Sequence, residues 1–333
     1  MTSRACDRSR APGRFREPAH DRAVATSQRL WVRRSLGYDL SFSGRVLRGF
    51  TAFADREGAD HITVDLFLRW KDAFGAANNN TWSARLGMVR VFAVWLQGHD
   101  ARTEVPPSGL ISGKLRRARP YIYSDAEVAT IVAHAAKLPS RYGLRGWTCS
   151  TLFGLIAVTG LRISEAVGLD DDDVDLDEGV ITVERSKHGK ARFVPIAPSS
   201  VAKLRAYRAE RTRLLNPTRG PFFLIEGGQR PTDCCARYNF AVISQGIGLR
   251  ETQRFCKHGR GLRIHDLRHT FAVRTIMGWY REGLDPDREM IKLSTYLGHS
   301  KPDHTNWYIE AVPELLQLAS KRAERSLAEG RTR

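Results

Sequence analysis

Between Ala23 and His99, apolar residues recur at steps of three and four, the spacing that lines one face of a helix. The segments "VLRGFTAFADREG", "VDLFLRWKDAFG" and "WSARLGMVRVFAVWLQG" each carry this pattern, and Gly58, Gly75 and Gly98 stand where such helices stop. This predicts a small all-helical domain over 23–105, with Phe50, Phe53, Phe67, Trp70, Phe92 and Trp95 in its core. After Pro120 the pattern restarts in "YIYSDAEVATIVAHA", where Ser124 and Glu127 have the spacing of a capping box. Two short β-branched runs, "GVITVE" and "RFVPI", flank "RSKHGKA" and read as a hairpin. Helical spacing returns in "SVAKLRAYRAERTRLL", "HDLRHTFAVRTIMGWY", "DREMIKLSTYLG" and "PELLQLASKRAERSLAE". The chain therefore reads as mainly α with a small antiparallel β-sheet, an N-terminal helical domain preceding a mixed α/β one.

Stretches without periodicity mark the boundaries. Residues 1–22 scatter Arg4, Arg8, Arg10, Arg14 and Arg16 among Pro and Gly, with too little apolar surface to offset the entropy of ordering; they read as a flexible basic tail. Residues 106–120 combine Pro106, Pro107, Gly109 and Gly113 with Lys114, Arg116, Arg117 and Arg119, and read as a basic linker. The second domain then spans 121–333, and a length of 333 residues suits two domains.

Charge narrows the class of partner. A formal net charge of +17 repels itself unless a polyanion neutralises it, and nucleic acid is the expected polyanion. An anionic membrane surface is the competitor, but no apolar run approaches the roughly 18 residues of a span, and no segment pairs a basic face with a wide apolar one. The five cysteines are odd in number and lack paired Cys-x-x-Cys spacing, so they read as reduced thiols. Cys234 and Cys235 adjoin but have no second pair to complete a zinc site. The N-terminus has no apolar segment of the secretory kind, and the cytoplasm is the expected location.

Moving a DNA phosphodiester without a metal requires a nucleophile, cations on the non-bridging oxygens, a proton donor for the leaving oxygen and a proton acceptor. The second domain offers a candidate for each. In "TGLRISEAVGL", Arg162 follows the Gly160 break at the start of a helical run. In "RIHDLRHTFAV", His265 and Arg268 are three apart, which on a helix places both on one face. His269 reads as a structural histidine beside them. Lys187 lies in the hairpin turn, with Lys190 competing for the same role, and "YLGHSKPDHTNWYIE" sets His299 and Tyr308 nine residues apart across Pro302. Tyrosine suits a covalent link because phenoxide is a modest leaving group, so the bond can be reversed. The acidic run Asp170–Asp173, with Asp175, Asp177 and Glu178, reads as a solvated loop and not a two-metal site, since consecutive carboxylates diverge. No Walker-type glycine loop occurs. No cofactor is expected, neither metal nor nucleotide.

The order Arg, Lys, His-x-x-Arg, His, Tyr resembles the tyrosine recombinase, or phage integrase, family, and "TGLRISEAVGL", "IHDLRHTFA", "LGHS" and Tyr308 are similar to its signature boxes. The resemblance implies that Arg162, Arg268 and His299 stabilise a phosphorane-like transition state. It further implies Lys187 as general acid to the 5′ oxygen, His265 as general base or orienting group, and Tyr308 as the nucleophile of a 3′-phosphotyrosyl link. Glu165 matches a supporting carboxylate of the family. The resemblance also implies a two-domain clamp around duplex DNA, a core-binding domain over 23–105, phosphate contacts from the linker and Lys190, and a homo-tetramer on paired sites with a C-terminal docking helix. The segment "HTNWYIEAVPELLQLA" is more similar to recombinases of transposons and plasmids than to chromosome-dimer resolvases. The competing readings are a topoisomerase of the same chemistry and a DNA-binding regulator that keeps the fold without catalysis.

Overall fold

The computed structural model describes residues 33–37, 40–75, 77–113, 119–184, 191–217, 219–251, 261–299 and 303–331. The tail over 1–22, Cys6, Lys114, Arg116, Arg117, Lys187, Lys190, Cys256 and Pro302 lie outside the described residues. The chain divides into two compact units, Met1–Arg117 and Ala118–Arg333.

Among the described residues, the helices along the first unit's core are α1 (Ser41–Arg56), α2 (Val64–Ala73) and α3 (Asn79–Gln97). Two start on side-chain caps, the Thr63 hydroxyl accepting from the Leu66 N–H at 3.0 Å and the Asn78 amide oxygen from the Thr81 N–H at 2.8 Å. Their apolar stripes meet in an aromatic core where Phe50, Phe67, Trp70 and Trp82 pack at tilted and edge-to-face angles. Trp82 is buried there although the helical pattern did not single it out, whereas Trp95 is only half-buried, stacked on Phe92 at 6.1 Å. The first half of the expected linker is also packed: Ile111 joins this core, and the Arg90 guanidinium donates to the Pro106 carbonyl.

The second unit runs α4 (Asp125–Ala136), α5 (Leu144–Thr159), α6 (Ile163–Gly168), a 3-10 turn (Asp171–Asp173), β1 (Val174–Asp175), β2 (Val180–Val183), β3 (Arg192–Pro195), α7 (Pro198–Leu215), α8 (Asp233–Gly246), α9 (Ile264–Glu282), α10 (Pro286–Leu297), α11 (Asp303–Ala311) and α12 (Pro313–Arg331). The Ser124–Glu127 capping box opens α4 as its spacing predicts. Helix α5 crosses the middle of the unit and was not legible as an element, because even its exposed positions include Trp147 and Val158, leaving no polar face to set a period. It lies close against α4: a Cβ at Gly146 would stand 2.4 Å from the Ala136 carbonyl oxygen. Phe153 of α5 meets Phe240 of α8 edge to face at 5.3 Å.

The sheet is antiparallel in the order β1-β2-β3, with Ile181 paired to both Val174 and Val194 and all three side chains turned into the core. β1 grows out of the acidic run, in which Asp172, Asp175, Asp177 and Glu178 are exposed, as in a solvated loop, while the half-buried Asp170 and Asp171 are bonded to arginines. Asp171 binds the buried Arg211 at 2.9 Å, Asp170 binds Arg230, and Asp177 binds Arg205 at 2.7 Å. Arg211 in turn donates to the Phe222 carbonyl at 2.6 Å, so these carboxylates brace α7 and the loop after it against the sheet.

A second cluster, separate from the main core, joins Val273 and Ile276 of α9, Leu293 and Leu297 of α10, and Tyr308, Val312 and Leu315. Helix α12 folds back on its own chain here, with Leu315 fully buried and the Arg322 guanidinium donating to the Leu284 carbonyl at 2.6 Å and to Asp285 at 3.1 Å. Among the described residues no helix is long and apolar enough to cross a membrane. Truncating the central side chain, Phe153→Ala, is expected to destabilise the second unit by about 3–5 kcal/mol, as for other buried Phe-to-Ala changes; urea unfolding followed by tryptophan fluorescence measures it.

Candidate active site

Of the helices that end in left-handed glycines, two have ends that face the same pocket. Helix α5 stops at Gly160 (φ 63°) and α10 at Gly298 (φ 64°), conformations that residues with a Cβ rarely adopt. Space forbids a side chain as well: a Cβ on Gly160 would meet Phe271 at 2.6 Å, and one on Gly298 would meet the Arg192 guanidinium at 2.9 Å. The carbonyls freed at these helix ends become acceptors for arginines.

Arg162, at the start of α6, donates from Nη2 to the Gly298 carbonyl at 2.8 Å and from Nη1 to Glu165 at 2.7 Å. Arg268, on the first turns of α9, is almost wholly buried; its Nη1 donates to the Gly160 carbonyl at 2.6 Å and its Nη2 to the Leu297 carbonyl at 2.7 Å. Arg192 of β3 completes the set. It donates from Nη1 and Nη2 to the two oxygens of Glu165, at 3.1 and 2.7 Å, and from Nε to the Tyr296 carbonyl at 2.8 Å. Sequence reading missed Arg192, although its place at the start of "RFVPI", directly after the hairpin turn, was visible.

Glu165 ties the three together. It is buried, it accepts the Arg162 backbone N–H at 2.9 Å, and Arg268 Nη1 lies 4.0 Å from its carboxylate. Burial alone would raise its pKa, but the hydrogen bonds from Arg192 and from the Arg162 backbone outweigh that and hold it at about 2. Burial, then repulsion from Arg162, brings Arg268 down to about 10, still charged at neutral pH. Three guanidiniums round one carboxylate leave a surplus of two positive charges.

The first turn of α9 carries His265, Arg268 and His269 at i, i+3 and i+4, so all three share one face. That turn is fixed by Asp266, which accepts the Arg263 backbone N–H at 2.8 Å, and by Thr270, whose hydroxyl accepts the Tyr123 N–H at 2.9 Å. His265 and His269 lie edge to face with centroids 4.5 Å apart. His269 is bonded through Nδ1 to the Tyr308 hydroxyl at 2.9 Å and also meets the Trp307 ring, so it belongs to the site and is more than a neighbour of Arg268. Tyr308, on α11, is buried. His299 bonds through Nδ1 to the Thr305 hydroxyl at 2.7 Å, one helical turn before Tyr308, which leaves Nε2 for a ligand. Thr305 is fully buried and carried no signal in the sequence.

All three histidines are driven toward the neutral form, chiefly by burial. Nearby arginines add to the effect for His265 (about 4) and His299 (about 3), and His265 with Arg263 for His269 (about 3). The structure thus brings together Arg162, Glu165, His265, Arg268, His299 and Tyr308 in one pocket of the second unit. Arg119 is exposed near the start of that unit. Among the described residues no group of three His, Cys, Asp or Glu gathers as metal ligands.

The model of the phage integrase family matches residues 124–314. A Sinorhizobium fredii protein named as an integrase/recombinase, y4rB, is 39% identical over 306 residues, covering 90% of this chain and 96% of the relative. The chain belongs to the phage integrase family. Its tyrosine recombinase relatives include XerD of Neisseria meningitidis, 29% identical over 283 residues and 84% of each chain. Among solved structures, the Tn1549 transposon integrase in complex with transposon right end DNA superposes with a TM-score of 0.62 at 16% identity, covering 91% of this chain and 98% of that one. The XerH site-specific recombinase bound to palindromic difH substrate gives 0.60 at 18%, covering 85% and 79%. These two show the tyrosine recombinase fold. Every pocket residue described above falls inside the family span.

Because Glu165 is ionised in the folded chain down to about pH 2 but only to about 4.5 when unfolded, its contribution to stability is complete above about pH 5 and disappears as pH falls toward 2. Glu165→Gln is therefore expected to lose about 3–5 kcal/mol at pH 7, as when one partner of a buried ion pair is removed. Denaturant midpoints compared across pH should show the gap to wild type narrowing below pH 5.

Proposed function

We propose that the chain is a site-specific DNA recombinase that cuts one strand with Tyr308, stores the 3′ end as a phosphotyrosine and rejoins it to a new 5′ hydroxyl. The observation that carries this reading is the buried tyrosine hydroxyl held beside a pocket with two surplus fixed positive charges. A phosphodiester carries one negative charge and the phosphorane formed from it carries two. A preorganised dicationic pocket therefore favours the transition state over the ground state.

In this mechanism Arg162 and Arg268 each keep N–H groups beyond those bound to carbonyls and to Glu165, and these bind the non-bridging oxygens. His299 donates from Nε2 to the same phosphate. Lys187 protonates the 5′ oxygen as it leaves, and His265 orients the phosphate or serves as base. Arg192 and Glu165 position Arg162. The energy of the broken linkage is conserved in the tyrosyl ester, so no nucleotide is consumed.

Double-stranded DNA is the substrate and the cytoplasm the place of action. The surplus of basic charge supports DNA binding, as do the solved structures of the Tn1549 transposon integrase in complex with transposon right end DNA and of XerH bound to difH substrate. The domain over 23–105 serves core binding, while Lys114, Arg116, Arg117, Arg119 and Lys190 contact phosphates. Four protomers assemble on two paired sites, with the C-terminal helix docking between neighbours.

The test uses a nicked suicide duplex selected from a random pool by covalent capture on the full chain. Wild type is expected to give a denaturation-resistant adduct at a 3′ end, Tyr308→Phe none, and Arg162→Ala cleavage slower by at least about a hundredfold, in line with a lost oxyanion donor. Adduct formation by Tyr308→Phe would remove the nucleophile from this scheme.

A further inference from the structure

The nucleophile needs a proton acceptor, and His269 stands in hydrogen-bond contact with the Tyr308 hydroxyl, through Nδ1 at 2.9 Å. We propose that His269 is a catalytic residue that takes the phenolic proton as Tyr308 attacks phosphorus and returns it on religation, which leaves His265 the orienting one of its two proposed roles. This rests on the reading of Tyr308 as nucleophile and deepens it.

The geometry is that of an activated nucleophile: base within hydrogen-bond reach, and the base itself held by a third group. His269 is held on three sides. Its backbone belongs to the anchored first turn of α9, the His265 ring meets it edge to face at 4.5 Å, and the Trp307 ring closes on it at 5.7 Å. In this role the ring carries its hydrogen on Nε2 and keeps a lone pair on Nδ1, which accepts from the Tyr308 hydroxyl. The charged and titratable groups acting on the ring are His265, Arg263, Arg268 and His299, along with Tyr308 itself. The two arginines and the burial keep the imidazole neutral at physiological pH, so the lone pair is available before DNA arrives. An incoming phosphate brings negative charge beside the ring and makes an imidazolium easier to form.

The step balances. The Oη–P bond forms as the P–O5′ bond breaks, the phenolic proton passes to Nδ1 of His269, and a separate acid, Lys187 in the scheme above, supplies the proton on O5′. On religation the 5′ hydroxyl attacks and yields its proton to the Lys187 amine, the P–O5′ bond forms as the Oη–P bond breaks, and the imidazolium gives its proton back to the phenolate.

Asparagine discriminates the chemistry from a merely structural role. In His269→Asn an amide oxygen stands near the place of Nδ1 and still accepts the hydrogen bond but takes no proton. Single-turnover cleavage of the selected suicide duplex by His269→Asn is expected to fall about a hundredfold, within the range of lost general bases, and to rise with pH toward the tyrosine pKa near 10 where wild type is flat. Added imidazole should restore rate to His269→Ala. With a 5′-bridging phosphorothiolate, whose leaving group needs no acid, the defect should persist, which places it on the attacking side. A loss of less than tenfold in His269→Asn, or cleavage faster than wild type as for a released latch, overturns the proposal while the adduct on Tyr308 in wild type leaves the recombinase reading standing. An absent wild-type adduct overturns both. A measurement independent of any folded variant at His269 is the nitrogen NMR shift of its ring in the wild-type chain. A protonated Nδ1 there contradicts the proposed tautomer, and a bare Nδ1 that moves on Tyr308→Phe supports it.

Discussion

One buried carboxylate organises the catalytic unit. Glu165 accepts from the guanidinium of Arg192 through both oxygens, from the guanidinium and backbone of Arg162, and lies within ion-pair distance of Arg268. Three cations in so small a space repel strongly where the dielectric is low, and without the carboxylate they would splay toward solvent. With it they are locked at fixed positions while the excess charge stays unsatisfied. The elements so joined are far apart in sequence: α6, β3, α9 and the end of α10 all reach the same few ångströms. The pocket is therefore a property of the whole unit's tertiary structure.

Fixed charge and mobile protons are divided between residue types. The arginines carry charge that does not titrate near neutrality, and the three buried histidines are held neutral by burial and by those same arginines. Each histidine is thus available as a lone pair or as an N–H donor without adding to the repulsion. This division costs stability in acid. Ordinary histidine titrates near 6.5, so below that value the unfolded chain binds protons that the folded chain refuses until about pH 3–4, and stability declines across that interval.

The chemistry was easier to read from the sequence than the architecture around it. Arg162, His265, Arg268, His299 and Tyr308 stand out because their short spacers sit inside apolar frames, Glu165 is marked only by the family resemblance, and the structure gathers all six in one pocket. Lys187 lies outside the described residues. Arg192 escaped notice because it acts through Glu165, 27 positions away, and Thr305 because a threonine six positions after His299 carries no mark of the bond between them. His269 was taken for packing because adjacency to Arg268 says nothing about a phenol 39 residues away. Among the elements, amphipathic helices such as α9 and α10 stood out, whereas α5 hid in its own uniform hydrophobicity. The two-residue strand β1 hid in an acidic run, of which Asp171 and Asp170 are bonded to Arg211 of α7 and to Arg230 beyond it.

Arg162 and Arg268 are held largely by main-chain oxygens, those of Gly298, Gly160 and Leu297. A peptide carbonyl is common to all twenty amino acids, so these anchoring points cannot be lost by exchanging one side chain for another. What must persist is only the path of the backbone, guarded by two glycines at the helix ends. Much of the surrounding surface is consequently at liberty to change, to meet new DNA sequences or new neighbours, without loosening the grip on the arginines.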